Sequence, residues 1–356
     1  MVAPYTAVGL ITTVWGVRRR AEIRRNIEHI SHVIAAASWL SSLDLPVRLV
    51  AIPEGALQGF TDEVFDMEHE DYARECAIDV PGDETAALGE LARKWDVFII
   101  GQAKARHESF PGRFFNMGFI IDPAGQVIGK HYKLATLYPV EHSVTPHDVW
   151  DRWVELYGET LDAFYPVVDT EIGRLGIMMA NEASYPENAR GLAMNGAEVT
   201  YRASYPHPHT GNDYFEIQNR ARALDNNFYV VAPNLATYYL EQDSDVPIDT
   251  FGGRSMIVDY KGRVVGKHLY GAGSSYVAGV VDVEALRDHR ARAQWDNWVK
   301  DLRTEQYKVI YDRPIYPKNL YLDRPVYRHE EFRREVIEKQ VAKMHDLGIW
   351  APPSSR

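Results

Sequence analysis

Short apolar runs recur throughout residues 1–290, bounded by turn residues or by segments with helical spacing. Runs of about four to eight β-branched and other apolar residues are typical of buried β-strands. Clear examples are "VRLVAIPEG" (47–55), "DVFIIGQ" (96–102) and "GIMMA" (176–180). We predict a strand in each of them, and another within "YTAVGLITTVW" (5–15).

Helical patterns separate these strands. Isoleucines recur at helical spacing within 19–41, at Ile23, Ile27, Ile30 and Ile34, which predicts an amphipathic helix. Residues 81–95 begin with acidic side chains, which a helix N-terminus favours. Helix-then-strand patterns follow in 188–204 and 214–234, and strand–turn–strand patterns occupy 114–133, 163–180 and 253–267.

This mixture of helices and hairpins favours mixed sheets over a purely parallel sheet. Two sheets that pack face to face, each covered by helices on its outer face, would bury this many apolar strands. We therefore predict an α/β fold in which two sheets lie between two helix layers, a four-layer α-β-β-α sandwich formed by residues 1–290.

Residues 291–356 have a different pattern, dense in Tyr and Pro and without a clear period. Three prolines argue against a helix in the middle of this arm, Pro314, Pro317 and Pro325. Apolar positions then predict a short amphipathic helix before Gly348, at Phe332, Val336, Ile337, Val341 and Met344. The arm can pack on its own domain or on a neighbouring subunit, and we expect a subunit interface in a homo-oligomer.

Composition excludes several classes of protein. With 39 basic and 50 acidic residues the net charge is −11, and the only basic cluster lies at 18–25, so nucleic acid and anionic membranes are poor partners. No uninterrupted apolar run of about 18 residues predicts a membrane span. A single cysteine, Cys76, fits a reducing cytoplasm, and the N-terminus does not resemble a secretory signal.

Candidate catalytic positions follow three of the predicted strands. Glu54 follows the first apolar run, Lys133 ends the 114–133 hairpin with Glu141 in the loop beyond it, and Ala180 ends "GIMMA". A partly buried glutamate can serve as a base near neutrality, and a lysine beside it can stabilise an oxyanion. Spacing alone does not bring these residues together, so the pattern indicates a possible acid/base cluster and no more.

The ordered segments "PEGALQG", "HYKL" and "MMANEASYPE" resemble the nitrilase superfamily, the carbon–nitrogen hydrolases. Supporting similarity extends over about residues 5–285. The resemblance implies the four-layer carbon–nitrogen hydrolase fold, no cofactor, and a Glu-Lys-Cys mechanism that proceeds through a thioester. It makes Glu54 the general base, Lys133 and the Asn181 N–H the oxyanion donors, and Glu141 a substrate-orienting acid.

Position 180 departs from the family pattern, because alanine stands where the family has its nucleophilic cysteine. An alanine cannot attack a carbonyl, so we expect this chain to be inactive. The intact Glu54, Lys133 and Glu141 favour a deliberate Cys-to-Ala replacement; the alternative is a natural, catalytically dead binding or scaffold protein. Cys76 lies in a segment that reads as packing and does not substitute.

Residues around position 180 bear on the substrate. Asn181 is not the Trp typical of nitrile-cleaving members, and Ala183 and Ser184 replace the arginines of members that cleave N-carbamoyl amino acids. "SYPE" is similar to aliphatic amidases, so a linear neutral amide is the preferred substrate, with carbamoyl compounds and nitriles as alternatives. We expect three substrate contacts, from Tyr138, Tyr205 and His207.

A metal hydrolase is the rival hypothesis from another class. Its candidate ligands are scattered histidines, His131, His142, His147, His207 and His209. No pair has the tight spacing of a zinc motif such as H-E-x-x-H. The sequence therefore predicts no metal.

Overall fold

The computed structural model of the protein describes residues 1–137, 140–203, 213–247, 249–250, 252–271 and 273–354. The strands within these ranges are β1 (Tyr5–Ile11), β2 (Val14–Trp15), β3 (Val47–Ala51), β4 (Phe98–Arg106), β5 (Phe114–Ile121), β6 (Val127–Tyr132), β7 (Val167–Thr170), β8 (Gly173–Ile177), β9 (Val199–Tyr201), β10 (Tyr229–Ala232), β11 (Thr237–Tyr239), β12 (Asp249–Thr250), β13 (Met256–Val258), β14 (Val264–Lys267) and β15 (Ser275–Val281).

The helices connect these strands or cover them. The α-helices are α1 (Ile23–Ser41), α2 (Thr61–Val64), α3 (His69–Glu75), α4 (Asp83–Trp95), α5 (Trp150–Tyr157), α6 (Leu161–Phe164), α7 (Pro186–Met194), α8 (Tyr214–Asn226), α9 (Val283–Arg292), α10 (Thr304–Lys308), α11 (His329–Phe332) and α12 (Glu338–Asp346). A π-helical turn at Arg333–Ile337 joins α11 to α12, so the helix predicted in the arm is present.

Two six-stranded sheets form the centre of the domain. The first has the order β15-β1-β3-β4-β5-β6, and the second has the order β14-β13-β10-β9-β8-β7. β1, β3 and β4 run parallel in the first sheet, as do β8, β9 and β10 in the second, and antiparallel hairpins flank both sets. Both sheets are mixed, as the alternation of helices and hairpins predicted.

The sheets pack face to face and are covered by helices on their outer faces. Leu49 and Ile100 of the first sheet share one buried core with Ile177 and Val231 of the second. A separate core joins the other face of the first sheet to α1 and α4, and another joins the second sheet to α7 and α8. The predicted α-β-β-α sandwich is thus confirmed.

The arm packs on its own domain through a cluster of apolar and aromatic residues. Tyr321, Tyr327 and Phe332 are buried there against Phe115 and Trp153. Other arm residues remain exposed, among them Val309 and Ile310. Contact with a neighbouring subunit therefore stays a prediction.

Membrane-spanning character is absent from the described helices: none combines the length and the apolar composition that crossing a bilayer requires.

Candidate active site

Three charged side chains from distant parts of the sequence meet in the protein interior. Nζ of Lys133 lies 3.1 Å from Oε1 of Glu54 and 2.7 Å from Oε2 of Glu141. The exposed fractions of these residues are 2%, 3% and 8%, respectively. Spacing could not show this meeting, because it depends on how the loop after β3 and the loop after β6 pack together.

Two amides in the strands beneath hold the carboxylates in place. Nδ2 of Asn116 donates to Glu54 Oε1 at 2.9 Å and to Glu141 Oε1 at 3.0 Å. Gln102 donates to Oδ1 of Asn116 at 2.7 Å and accepts the backbone N–H of Gly55. The carboxylates therefore sit on a fixed donor network carried by β4 and β5.

Glu141 is held as an anion despite its burial. Burial acts to raise its pKa, but the Lys133 ammonium, the backbone N–H of Leu137 and Asn116 together bring the pKa below its ordinary value. Lys133 responds in the opposite sense: burial acts to lower its pKa, and Glu141 and Glu54 raise it well above its ordinary value. Lys133 is therefore a permanent cation at this site.

A second buried ion cluster lies beside the first. Lys104 contacts Asp62 and lies 2.8 Å from Oε1 of Glu63. Burial raises the pKa of Glu63 to about 8, although Lys104 opposes the shift. Charges of Glu63 and Glu141 influence each other, so the two clusters form one electrostatic unit within the domain.

The chain turns sharply after β8, at Ala180–Ser184. Ala180 has φ +40°, a left-handed conformation that non-glycine residues rarely adopt. Its N–H donates to Ala203 O at 2.6 Å, and its carbonyl accepts from buried Arg202 at 3.3 Å. The surrounding structure therefore imposes a conformation that costs free energy, a feature common at functional sites.

Glu182 connects this turn to the segment that follows Lys133. Its carboxylate accepts the backbone N–H of Met179 and the backbone N–H of Leu134, each at 2.6 Å, and lies 3.0 Å from Nε2 of His131. Asn181 adds a second link, because its side chain donates to Thr136 O at 2.9 Å. Ala180 is thus held beside the chain that carries Lys133.

We expect E182A to destabilise the fold by about 3 kcal/mol, because it leaves the buried N–H of Met179 and the partly buried N–H of Leu134 without their acceptor. Urea unfolding of E182A and of the unmodified chain measures this difference in the free energy of unfolding. Glu187 lies just beyond the same turn, and its exposed carboxylate accepts from the exposed Tyr311 hydroxyl instead of from the backbone, so E187A is the matched control and is expected to change stability by less than about 1 kcal/mol. Equal losses for the two variants would contradict the linking role of Glu182.

The remaining predicted site residues have different outcomes. Tyr138, Tyr205 and His207 lie outside the described residues. Cys76 is buried, with its Sγ 3.8 Å from Val17 O, and burial raises the pKa of its thiol to about 12. A thiol in that state is a poor nucleophile, which agrees with a packing role.

Sequence reasoning missed several polar residues of the site, namely Gln102, Asn116, Glu182 and Arg202. Two of them were marked by a signal that was available. Gln102 and Asn116 interrupt otherwise apolar strands, and a polar side chain inside a buried strand requires a buried partner.

Comparisons with known proteins agree with this architecture. The carbon-nitrogen hydrolase family profile matches residues 11–285. A formamidase of Bacillus cereus (strain AH820) is 28% identical over 224 residues, which is 62% of this chain and 59% of that protein. The matched region thus spans about three-fifths of the length of the curated relative.

Solved structures share the fold at low sequence identity. A carbon-nitrogen hydrolase from Helicobacter pylori G27 has a TM-score of 0.66 at 19% identity, covering 87% of this chain and 99% of that one. Nit3 of Saccharomyces cerevisiae, a nitrilase-superfamily member, has a TM-score of 0.62 at 20% sequence identity, and the match covers 82% of this chain and 94% of Nit3. A third structure is a cysteine-to-alanine mutant of the Nesterenkonia sp. AN1 amidase in complex with butyramide. Its TM-score is 0.61 at 16% sequence identity, and the match covers 86% of this chain and 96% of that one. Because the family profile matches well over half of its residues, the chain belongs to the carbon-nitrogen hydrolase family.

Proposed function

We propose that this fold hydrolyses the carbon–nitrogen bond of a linear amide when position 180 carries a cysteine. The observation that carries the proposal is the buried Lys133 ammonium held between Glu54 and Glu141, with the Ala180 turn fastened to the same segment through Glu182. Base, oxyanion donor and nucleophile position are the parts that acyl transfer needs.

The reaction follows from these roles. Glu54 takes the proton of the thiol, and the thiolate attacks the amide carbonyl carbon to form a tetrahedral oxyanion. The carbon–nitrogen bond then breaks, and the amine leaves with the proton that Glu54 had taken. A water molecule, deprotonated by Glu54, cleaves the thioester and releases the acid and the free thiol.

Lys133 suits the oxyanion role because of its hydrogen-bonding capacity. An ammonium group has three N–H donors, and two of them serve Glu54 and Glu141. Among the described residues the third has no acceptor, so we propose that it serves a developing oxyanion together with the backbone N–H of Asn181. We assign Glu141 to substrate orientation, because Asn116, Ser143 and Leu137 fix its carboxylate.

With Ala180 this chain keeps the binding site but lacks the nucleophile. We favour replacement of a cysteine over natural loss, because the base, the lysine and the strained turn all persist. A chain that had long served only as a scaffold would be free to lose them. A natural, catalytically dead binding protein is the alternative.

A neutral amide is the preferred substrate class. The related proteins named above include a formamidase and an amidase that binds butyramide. Ala183 and Ser184 offer no cation to a substrate carboxylate. A cavity of about 920 Å³ lies between the arm and the segments that follow Lys133 and Ala180, and Leu134, Tyr185 and Phe332 line it. We propose that it accepts the apolar part of the substrate.

A substrate panel tests the function. A180C is incubated with short linear amides, N-carbamoyl compounds and aliphatic nitriles, and ammonia release is measured. We expect release from the amides. Activity confined to the carbamoyl compounds or nitriles would replace the amide assignment, and a folded A180C that is silent on all three classes would favour the binding protein.

We further propose that the chain is cytoplasmic and forms a homo-oligomer through the arm at 291–356. Apolar arm side chains are strongly exposed, with Val309 at 76% and Ile310 at 66%. We expect a dimer or larger species in sedimentation velocity, and dissociation in V309D/I310D. V246D, at a valine exposed to 66% outside the arm, is the control and is expected to leave the assembly intact. A monomer for the unmodified chain would contradict the proposal.

A further inference from the structure

Two histidines and an aspartate converge where the arm meets the loop that carries Glu141. They are Asp66, which follows α2, His142, and His329 at the start of α11, and we call them the Asp66 cluster. One ligand atom from each lies within 4.8 Å of the other two. Sequence reasoning named His142 among scattered histidines, but it could not pair it with a residue 187 positions later.

Backbone carbonyls fix the proton on each imidazole. Nδ1 of His142 lies 3.1 Å from Met67 O, and Nε2 of His329 lies 3.0 Å from Val140 O. A carbonyl can only accept, so these nitrogens carry the protons. In the neutral rings the opposite nitrogens therefore carry lone pairs. These nitrogens are Nε2 of His142 and Nδ1 of His329.

Both lone pairs face one carboxylate oxygen. Nε2 of His142 lies 3.0 Å from Oδ1 of Asp66, and Nδ1 of His329 lies 3.7 Å from the same atom. His142 is 3% exposed, and within the described part of the chain its Nε2 has no hydrogen bond of acceptable geometry. Lone pairs directed at an anionic oxygen repel one another unless a proton or a metal ion lies among them.

We propose that the Asp66 cluster binds a divalent transition-metal ion such as Zn²⁺, which fastens the arm to the loop next to Glu141. Ligands about 2.0–2.1 Å from a tetrahedral Zn²⁺ are about 3.3 Å apart, and the two distances to Asp66 Oδ1 bracket that value. Two imidazoles and a carboxylate suit a metal ion of intermediate softness such as Zn²⁺, and a water molecule can take the fourth coordination position.

The surroundings match those of a metal site. Metal-binding histidines commonly donate their other N–H to a backbone carbonyl, as both do here. His69 donates to the carbonyl of His142 at 2.8 Å and so holds that loop. Arg328 pairs with the other oxygen of Asp66, Oδ2, at 3.2 Å. The backbone N–H of His329 donates to Oδ1 at 3.1 Å, and a carboxylate oxygen with two acceptor sites can still bind an ion through the other.

Zn²⁺ titration of the full, untagged chain tests the proposal, with competition by a chromophoric chelator as the readout. We expect one equivalent to bind, and H142A and H329A to weaken its affinity by at least about 100-fold, the upper range seen when even an outer-sphere partner of a metal ligand is removed. H32A, at an exposed histidine of α1, is expected to retain the site. Unchanged binding in both cluster variants, or no stoichiometric binding by the unmodified chain, would overturn the proposal.

A second measurement separates metal binding from the folding of a variant. His142 is buried, so circular dichroism first shows whether H142A folds; if it does not, H329A carries the test, because His329 is 26% exposed in its side chain. Zn²⁺ is expected to slow proteolysis of the arm in the unmodified chain and in H32A but not in H329A. Protection that persists in folded H329A would contradict the fastening role.

Discussion

A180C is expected to raise the turnover of linear amides by on the order of 10⁶-fold over the chain as it stands. The basis is that removing the nucleophile from a group that acts as a unit costs about that much, and the residues that we propose as the rest of the unit are in contact. Lys133 and Glu54 are in contact, and the turn at position 180 is tied to Leu134 by a buried carboxylate. Steady-state ammonia release, with the Ala180 chain measured in parallel, gives the ratio.

The control for this gain is E54Q in the A180C background. It keeps the shape of the side chain and its contact with Asn116 while removing the proton acceptor, so turnover is expected to fall by about 10²- to 10⁴-fold. The unfolding free energies of the two chains should be compared, so that loss of fold is not mistaken for loss of the base. An E54Q variant as active as A180C alone would remove Glu54 from the role of base.

The strands and long helices could be predicted because each buries one consistent face. β3 lies within its predicted run, and β4 begins within 96–102 but continues to Arg106. β8 ends at Ile177, so only two residues of the strand predicted at 176–180 belong to it. α1 begins four residues after the start of the predicted helical segment 19–41. The short elements were missed for a physical reason. β2 pairs with β11 in a small third sheet that forms only in the folded chain. α3 has seven residues, and the formation of so short a helix depends on tertiary packing more than on its own propensity.

The candidate site was predictable in its members but not in its connections. The resemblance indicated Glu54, Lys133 and Glu141, and the structure brings them into contact. Asn116 was missed because its significance depends on strand order: β5 lies between β4 and β6 in the first sheet, which places it under both loops. The meeting of His142, Asp66 and His329 was missed because the three lie far apart in the sequence, and the arm that carries His329 meets the loop of His142 only in the folded chain.

K133M is expected to destabilise the fold by about 3–5 kcal/mol at pH 8, because it leaves two buried carboxylates without their cation. Removing one partner of a buried ion pair costs more than the pair itself contributes, since the remaining charge stays desolvated. Urea unfolding measures the loss. Lys130, exposed on the same strand β6, provides the matched control, and K130M is expected to change stability by less than about 1 kcal/mol.

The pH dependence of K133M distinguishes lost charge pairing from lost packing. In the unmodified chain the pKa of Glu141 lies below its ordinary value of 4.5, so its contribution to stability is complete above that pH and is lost as the pH falls through the lowered pKa. Without Lys133 burial is less opposed, and the pKa of Glu141 is expected to rise above 4.5. Protonation then relieves the buried charge, so the deficit of K133M should shrink between pH 8 and pH 5. A deficit that stays constant over that range would mean that Lys133 stabilises the fold through its methylene chain and not through its charge.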